Sequence, residues 1–178
     1  MKIIETKLND CLIIKPQVYV DDRGFFFESF NQERYLIEAG IEDQFVQDNF
    51  SRSSKNVLRG MHFQKNKPQG KLVSVLKGEV FDVAVDLRPE SSTFGNWDSA
   101  ILSEKNKHQM WIPPGFAHGF YVLSNTADFN YKCTDYYDPF DEVGLIWNDP
   151  IINIEWPTNE PMLAKKDINL PLFSELNL

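Results

Sequence analysis

The sequence predicts an all-β fold, either a β-sandwich or a jelly-roll barrel, and two observations support this prediction. Many short segments with strand-like alternation follow one another through most of the chain, separated by turns rich in Gly, Pro and Asp. Only one clear helical pattern occurs, and it lies near the start. The chain has 178 residues and no repeat, linker or low-complexity segment, so residues 1–178 are predicted to form a single domain.

The first elements surround a turn and a helix. Residues 13–30 are predicted to form two strands on either side of Asp21-Asp22-Arg23-Gly24, because Asp and Gly suit a turn. A short N-terminal helix is predicted over residues 31–40, where Asn31 provides an N-cap and Gly40 a C-terminal stop.

A hairpin is predicted next, because residues 72–76 and 79–87 are strand-like and flank Lys77-Gly78, a plausible two-residue turn. Asp82 and Asp86 alternate with the apolar residues of the second strand and therefore lie on its opposite face. That apolar face consists of Phe81, Val83, Val85 and Leu87.

The remaining strands follow the same alternation. Residues 110–112 lead through Pro113-Pro114-Gly115, a rigid turn, into a strand over residues 116–123. One face of that strand carries Phe116, His118, Phe120 and Val122, and one face of the next carries Phe129, Tyr131 and Cys133. The C-terminal segment 156–178 is interrupted by Pro and is predicted to pack back over the barrel.

Composition excludes several classes of partner. The formal net charge is −8, so the basic footprint that nucleic-acid binding needs is missing. No apolar run is long enough for a membrane span, and charged residues follow Met1 too soon for a signal peptide. Cys11 and Cys133 form neither a disulfide framework nor a metal-type pair. We therefore expect a cytoplasmic protein that binds neither nucleic acid nor membranes.

Three residues are the candidates for chemistry. A lone histidine such as His62 or His118 is more often a hydrogen-bonded core residue than a catalytic one. Lys71 changes this balance, because an ammonium group at the inward start of a core strand is costly unless it is paired or used. Tyr131 lies on an apolar strand face. His62, Lys71 and Tyr131 converging in a barrel would supply a base, an oxyanion stabiliser and an acid.

Strand alternation also orders the segment around His62. One predicted face holds Leu58, Gly60, His62 and Gln64, and the other holds Arg59, Met61 and Phe63. A metal-binding barrel would place His-x-His here, but Gly60 and Gln64 flank His62, and two histidines are too few for a usual catalytic metal. The sequence therefore predicts no metal site.

The cations and aromatics have ordinary explanations as well. Arg23, Arg59 and Lys166 are by default solvated surface charges, but Arg59 stands among apolar residues, and guanidinium groups bind phosphate in bidentate fashion. Tyr136 and Tyr137 alternate, so only one of them can point inward, where a tyrosine at the barrel mouth can stack on a base.

Seven motifs, spread in order over nearly the whole chain, resemble the dTDP-4-dehydrorhamnose 3,5-epimerase family. They are residues 22–28 (DRGFFFE), 47–49 (QDN), 57–64 (VLRGMHFQ), 69–73 (QGKLV), 78–88 (GEVFDVAVDLR), 114–120 (PGFAHGF) and 147–150 (WNDP). The resemblance implies a homodimeric jelly roll of the cupin type that needs no cofactor or metal. Open sheet edges, which pairing can cover, also favour a homodimer.

The resemblance also implies roles for individual residues. His62 is expected to be the general base, Asp167 its orienting carboxylate, Lys71 the stabiliser of an enolate and Tyr131 the acid. Tyr137 is expected to stack on thymine. The remaining residues expected to bind a dTDP-linked 4-keto-6-deoxysugar are Arg23, Glu28, Gln47, Asn49, Arg59, His118, Glu142 and Lys166.

The implied reaction inverts C3 and C5 of dTDP-4-dehydro-6-deoxy-D-glucose to give dTDP-4-dehydro-L-rhamnose, in dTDP-rhamnose biosynthesis. The C4 ketone acidifies the hydrogens at C3 and C5, and reprotonation from the opposite face inverts each centre. Three alternatives stay open from the residues alone. They are a related epimerase that inverts only C3 or only C5, a non-catalytic cupin binding module, and a metal-dependent cupin.

Overall fold

Two packed antiparallel sheets and a separate two-stranded ribbon make up the computed structural model, which describes residues 1–178. The strands are β1 (Lys2–Glu5), β2 (Leu12–Lys15), β3 (Val18–Asp21), β4 (Gly24–Phe27), β5 (Gln47–Ser54), β6 (Leu58–Gln64), β7 (Lys71–Lys77), β8 (Glu79–Asp86), β9 (Trp97–Ser103), β10 (Gln109–Ile112), β11 (Phe116–Val122), β12 (Thr126–Cys133) and β13 (Glu142–Gly144). The helices are α1 (Gln32–Ala39), α2 (Lys165–Ile168) and a 3₁₀ turn (Phe173–Glu175).

The first sheet has six strands in the order β1-β2-β10-β7-β12-β5, and the second has five in the order β13-β6-β11-β8-β9. The ribbon pairs β3 with β4, with Asp22 and Arg23 in its turn. The all-β jelly-roll prediction is confirmed, although residues 13–30 contribute to three strands rather than two, because β2 separates from the ribbon to join β1 and β10.

Three apolar clusters explain why these strands pack as they do. The first fills the space between the sheets and includes Phe120 and Phe129. The second covers the outer face of the five-stranded sheet, where Phe173 from the C-terminal segment packs. The third lies beneath α1, on the outer face of the six-stranded sheet, around Tyr35 and Trp111. Each large sheet is therefore buried on both faces over part of its area, which removes much apolar surface from water.

The predicted hairpin across Lys77-Gly78 is wrong. β7 pairs with β10 and β12, whereas β8 pairs with β11 and β9, so these consecutive strands belong to different sheets. Gly78 forms the corner with φ +79, and a Cβ there would lie 2.1 Å from Thr126 O. Only glycine fits such a close approach in this backbone region, so the same signal that suggests a hairpin marks a crossing between sheets.

Helix α1 and the C-terminal segment follow the predictions. Asn31 accepts a hydrogen bond from the backbone N–H of Arg34, and Gly40 ends the helix in the left-handed region. The C-terminal segment returns to the barrel, where Met162 bonds the backbone of Asn56 and Leu58. No helix in the structure is long and apolar enough to cross a membrane.

Candidate active site

A cavity of about 560 Å³ opens between the two sheets and lies within the usual size range of ligand pockets. One side is the histidine wall, formed by β6, β11 and β13 of the five-stranded sheet. The other is the lysine wall, formed by β5, β7 and β12 of the six-stranded sheet. The tail segment, residues 162–167, lines the cavity as well and begins beside the start of β6, where Met162 bonds the backbone of Asn56 and Leu58.

His62 and Asp167 form a hydrogen-bonded pair on the histidine wall. His62 Nε2 lies 2.8 Å from Oδ1 of Asp167, which comes from α2 and is almost fully buried. Because Nε2 is engaged, Nδ1 is the ring nitrogen left for a ligand, and it lies 3.8 Å from Glu142 Oε1. A buried carboxylate on one nitrogen of an imidazole fixes its tautomer and orientation and stabilises the imidazolium.

Arg59 lies on the same side of β6 as His62, which corrects the predicted alternation. His118 pairs with His62 and Phe120 with Arg59, so two steps along β11 match three along β6. Such a bulge turns the following side chain to the other face. The bulge therefore brings Arg59 into the cavity, where its Nε donates to Ser53 Oγ at 2.9 Å.

Glycines make that irregularity possible. Gly60 has φ +121, and a Cβ there would lie 2.5 Å from Gly119 Cα. A Cβ on Gly119 would in turn lie 2.6 Å from Met61 Sδ. The two backbones approach too closely for any side chain, so both glycines are required to place Arg59.

Lys71 and Tyr131 project from the lysine wall. Lys71 is 9% exposed, and its Nζ has one long hydrogen bond, 3.4 Å, to His62 O. Burial lowers the pKa of Lys71, although negative charges including those of Glu142 and Asp82 oppose this. Burial raises the pKa of Tyr131 to about 12, so its phenol stays protonated at neutral pH.

The Glu142 carboxylate forms hydrogen bonds with two other residues that line the cavity. It accepts from Lys166 Nζ at 2.9 Å and from the Tyr137 hydroxyl at 2.8 Å. Burial alone would raise the pKa of Glu142, but these hydrogen bonds outweigh burial and lower it. Both adjacent tyrosines are exposed, and of the two only Tyr137 lines the cavity.

Amide side chains line the lysine wall along β5. Gln47 Nε2 donates to Asn49 Oδ1 at 3.0 Å, and Gln47 Oε1 accepts from the backbone N–H of Tyr137 at 2.9 Å. The Asn49 amide reaches Cys133 Sγ at 3.6 Å. These bonds fix the amides beside Tyr137, so this end of the cavity is suited to a ligand with many hydrogen-bonding groups.

His118 lies beside His62 and has a buried partner that sequence reasoning missed. Its Nε2 is 3.0 Å from Oδ2 and 3.2 Å from Oδ1 of Asp82, and its ring stacks on Phe129. Strand alternation predicts only that Asp82 faces away from the apolar side of β8. The sequence does hold one signal of this burial. Asp82 is two positions from Val80 and from Ala84, so it shares their face of the strand, and both of these residues pack in the core between the sheets.

Two predicted ligand-binding residues lie outside the cavity of their own chain. Arg23 is in the ribbon turn, where its side chain is 89% exposed and pairs with Asp21. Glu28 follows the ribbon and bonds Arg34 and Asn31. No three His, Cys, Asp or Glu side chains lie close enough together to hold a metal ion.

The arrangement suits proton transfer on a carbon acid. A base with an orienting carboxylate stands on one wall, and a buried ammonium and a protonated phenol stand on the other. Fold and site together define a cupin-type acid–base enzyme.

Comparison with known proteins identifies the family. Residues 5–175 match the profile of the dTDP-4-dehydrorhamnose 3,5-epimerase family. The dTDP-4-dehydrorhamnose 3,5-epimerase of Salmonella typhimurium is 54% identical over 98% of this chain and 97% of its own length. The chain belongs to the dTDP-4-dehydrorhamnose 3,5-epimerase family, and the predicted isomerase class is confirmed.

Two solved structures extend the comparison. The epimerase of Legionella pneumophila in complex with dTDP-4-keto-L-rhamnose is 56% identical, with a TM-score of 0.96 over 99% of this chain and 94% of the other. The 3'-monoepimerase ChmJ of Streptomyces bikiniensis in complex with dTDP-quinovose is 28% identical, with a TM-score of 0.89 over 95% and 86%. Single-centre and double-centre epimerases therefore share this fold, and the chain is more similar in sequence to the double-centre relatives.

Proposed function

We propose that this protein inverts C3 and C5 of dTDP-4-dehydro-6-deoxy-D-glucose to give dTDP-4-dehydro-L-rhamnose, in dTDP-rhamnose biosynthesis. One observation carries the proposal: His62 and Tyr131 stand on opposite walls of one cavity, with Lys71 beside Tyr131's strand. Inversion at carbon requires removal of a proton from one face and its return from the other. An acid and a base on two facing sheets meet that requirement.

The first step places charge on O4. His62 Nδ1 takes the proton from C3 or C5, the C–H electrons form the carbon–carbon double bond of an enolate, and the carbonyl electrons move to O4. Asp167 holds the imidazolium. The Lys71 ammonium neutralises the developing negative charge, and low local polarity strengthens this interaction.

The second step returns a proton to the opposite face. The Tyr131 hydroxyl donates to the enolate carbon, and the ketone reforms at C4. A pKa of about 12 keeps the phenol proton in place at neutral pH until a strongly basic carbon accepts it. Solvent then reloads Tyr131 and takes the proton from His62, so the cycle needs no redox cofactor.

We assign the nucleotide to the cations, the amides and the tyrosine that line the cavity outside the reacting centre. Arg59 and Lys166 are the cations available for the diphosphate. Tyr137 is placed to stack on thymine, and Gln47 and Asn49 to hydrogen-bond the ligand. Because Lys166 and Tyr137 both bond Glu142 in the free protein, ligand binding must exchange some of these bonds for new ones.

Turnover in deuterated water tests the proposed function directly. With dTDP-4-dehydro-6-deoxy-D-glucose we expect NMR to show deuterium at both C3 and C5 and the L-configured product. EDTA is expected to leave the rate unchanged, because Asp167 and Asp82 already engage Nε2 of the two cavity histidines. Label at a single carbon would reassign the protein as a monoepimerase, and binding without label would make it a binding module.

We also propose that the protein is a homodimer in which the ribbon (β3 and β4) of one copy completes the site of the other. The ribbon exposes apolar side chains, including Val20 (78%) and Phe26 (69%), in a patch that water disfavours. Strand β5 ends the six-stranded sheet with a free edge beside the cavity. A partner's ribbon placed along this edge would bring Arg23 and Glu28 to the ligand, which their own chain does not do.

A Val20→Glu variant is expected to convert the dimer to monomers, because a charge in the centre of the covered patch loses its hydration without a partner. Light scattering reads the mass. Ile151→Ser, which removes an exposed apolar side chain far from the ribbon in sequence, is the control and should remain dimeric. A wild-type protein that is monomeric and fully active contradicts the proposal.

The cytoplasm is our proposed location. Cys11 and Cys133 are both unpaired and buried, and burial raises the pKa of each thiol. Unpaired thiols are typical of reducing compartments.

A further inference from the structure

Asp82 is an ionisable group at the centre of the barrel to which the proposed mechanism gives no role. It lies in the middle of β8, and its side chain is 0% exposed. Both carboxylate oxygens lie within hydrogen-bond distance of a single atom, His118 Nε2, and no other group bonds them. A buried carboxylate is costly unless it is paired, so this pair requires an explanation.

The partner of Asp82 lies against the reacting groups. His118 is directly opposite His62 in the pairing of β11 with β6, so the two histidines are cross-strand neighbours on the histidine wall. His118 lines the cavity, and its ring lies beside the stacked rings of Phe129 and Phe120, with centroids 5.9 Å and 6.5 Å away. These aromatic neighbours pack against the His118 ring, and Asp82 provides its only hydrogen-bond partner.

The second ring nitrogen of His118 is accessible from the cavity. His118 Nδ1 has no hydrogen-bond partner in the protein, yet no buried side-chain nitrogen or oxygen of the chain lacks one. Nδ1 is therefore open to the cavity. A carboxylate accepts hydrogen bonds and cannot donate, so it selects the tautomer with the proton on Nε2.

We infer that Asp82 is a positioning residue of this enzyme: it fixes the Nε2–H tautomer of His118, so that Nδ1 accepts a hydrogen bond from a hydroxyl of the sugar. The inference rests on the proposed function for the identity of the ligand. The histidine wall thus carries two His–Asp pairs with different tasks. The His62–Asp167 pair transfers protons, and the His118–Asp82 pair orients the sugar ring next to His62.

The tautomer can be read without any substrate. NMR of ¹⁵N-labelled imidazoles, with the His118 signals identified by their loss in His118→Gln, is expected to show the wild-type His118 proton on Nε2. In Asp82→Asn the amide can also donate to the ring, and we expect the Nδ1–H form to appear. A wild-type His118 protonated on Nδ1 would overturn the inference, whatever the substrate proves to be.

Kinetics then test whether the tautomer matters for the reaction. We expect Asp82→Asn to lower kcat/KM about 10- to 100-fold, by analogy with the loss of a carboxylate that orients a metal-bound histidine. In a His118→Gln background the same change is expected to have no further effect, because Asp82 acts only through His118. If Asp82→Asn lowers kcat/KM by the same factor with and without His118→Gln, Asp82 does not act through His118 and the inference fails.

Asp86→Asn is the matched control. Asp86 lies on the same strand and is equally buried, but it bonds Arg88, Ser91 and Thr93 at the end of the barrel. We expect it to lower the melting temperature and leave kcat/KM and the His118 tautomer unchanged. If Asp82→Asn and Asp86→Asn lower kcat/KM and melting temperature alike, Asp82 is a structural residue and the inference fails.

Discussion

Replacing His62 by asparagine is expected to stop deuterium exchange at both C3 and C5, with turnover falling by about 10²- to 10⁴-fold, the usual contribution of a general base. No proton leaves either carbon without the base. Asparagine can still donate a hydrogen bond to Asp167, so the buried carboxylate keeps a partner and the fold is expected to survive. The measurement is NMR of the sugar in deuterated water, with circular dichroism to confirm folding.

Tyr131→Phe is the matched control for this experiment. It leaves His62 and Lys71 in place, so the enolate still forms and exchange at C3 can continue while inversion slows or stops. A folded His62→Asn protein that exchanges C3 deuterium at the wild-type rate would remove His62 from the mechanism.

Lys71→Met is expected to lower turnover about 10²- to 10³-fold, by analogy with removal of one oxyanion donor, and to raise the melting temperature. The two effects share a cause. The ammonium is buried with a single long hydrogen bond, so the folded state bears a desolvation cost that methionine removes. The folded protein is therefore less stable with Lys71 than with methionine, and the ammonium provides a positive charge near the reacting oxygen O4.

The stability gain of Lys71→Met should depend on pH. Burial lowers the pKa of Lys71 in the folded state from the ordinary 10.5, so the unfolded chain binds this proton more tightly. Stability of the wild type therefore rises with pH between the lowered value and 10.5, and the gain from methionine is largest below that window. Lys77→Met, at the exposed end of the same strand, is the control and should change neither turnover nor this pH dependence. Undiminished turnover in Lys71→Met would contradict the role of the ammonium.

Periodicity alone predicts a good part of the fold and the site. Strand alternation places His118 with Phe120, and the caps Asn31 and Gly40 predict α1. The high cost of a buried ammonium singles out Lys71 from its position in a strand-like, apolar stretch of sequence. These features are local, because each depends on residues close together in sequence.

The features that sequence patterns miss depend on contacts between distant strands. Strand alternation places Arg59 and His62 on opposite faces of β6. The bulge that accompanies the close approach of Gly60 to Gly119 brings Arg59 to the same face as His62. The turn signal at Gly78 is real, but the pairing partners of β7 and β8 are decided by the rest of both sheets. Asp82 and His118 lie on two neighbouring strands that are far apart in sequence. The residues around each of them in the sequence therefore do not predict their contact.

The tail segment has a consequence for how the enzyme comes into being on the ribosome. His62 and Asp167 are 105 positions apart, and the strands of both walls are synthesised before the tail that supplies Asp167 and Lys166. Until the tail is synthesised, the base therefore has no orienting carboxylate. The same segment supplies Lys166, one of the two cations assigned to the diphosphate, so a chain without residues 162–167 would lack parts of both the catalytic and the ligand-binding machinery.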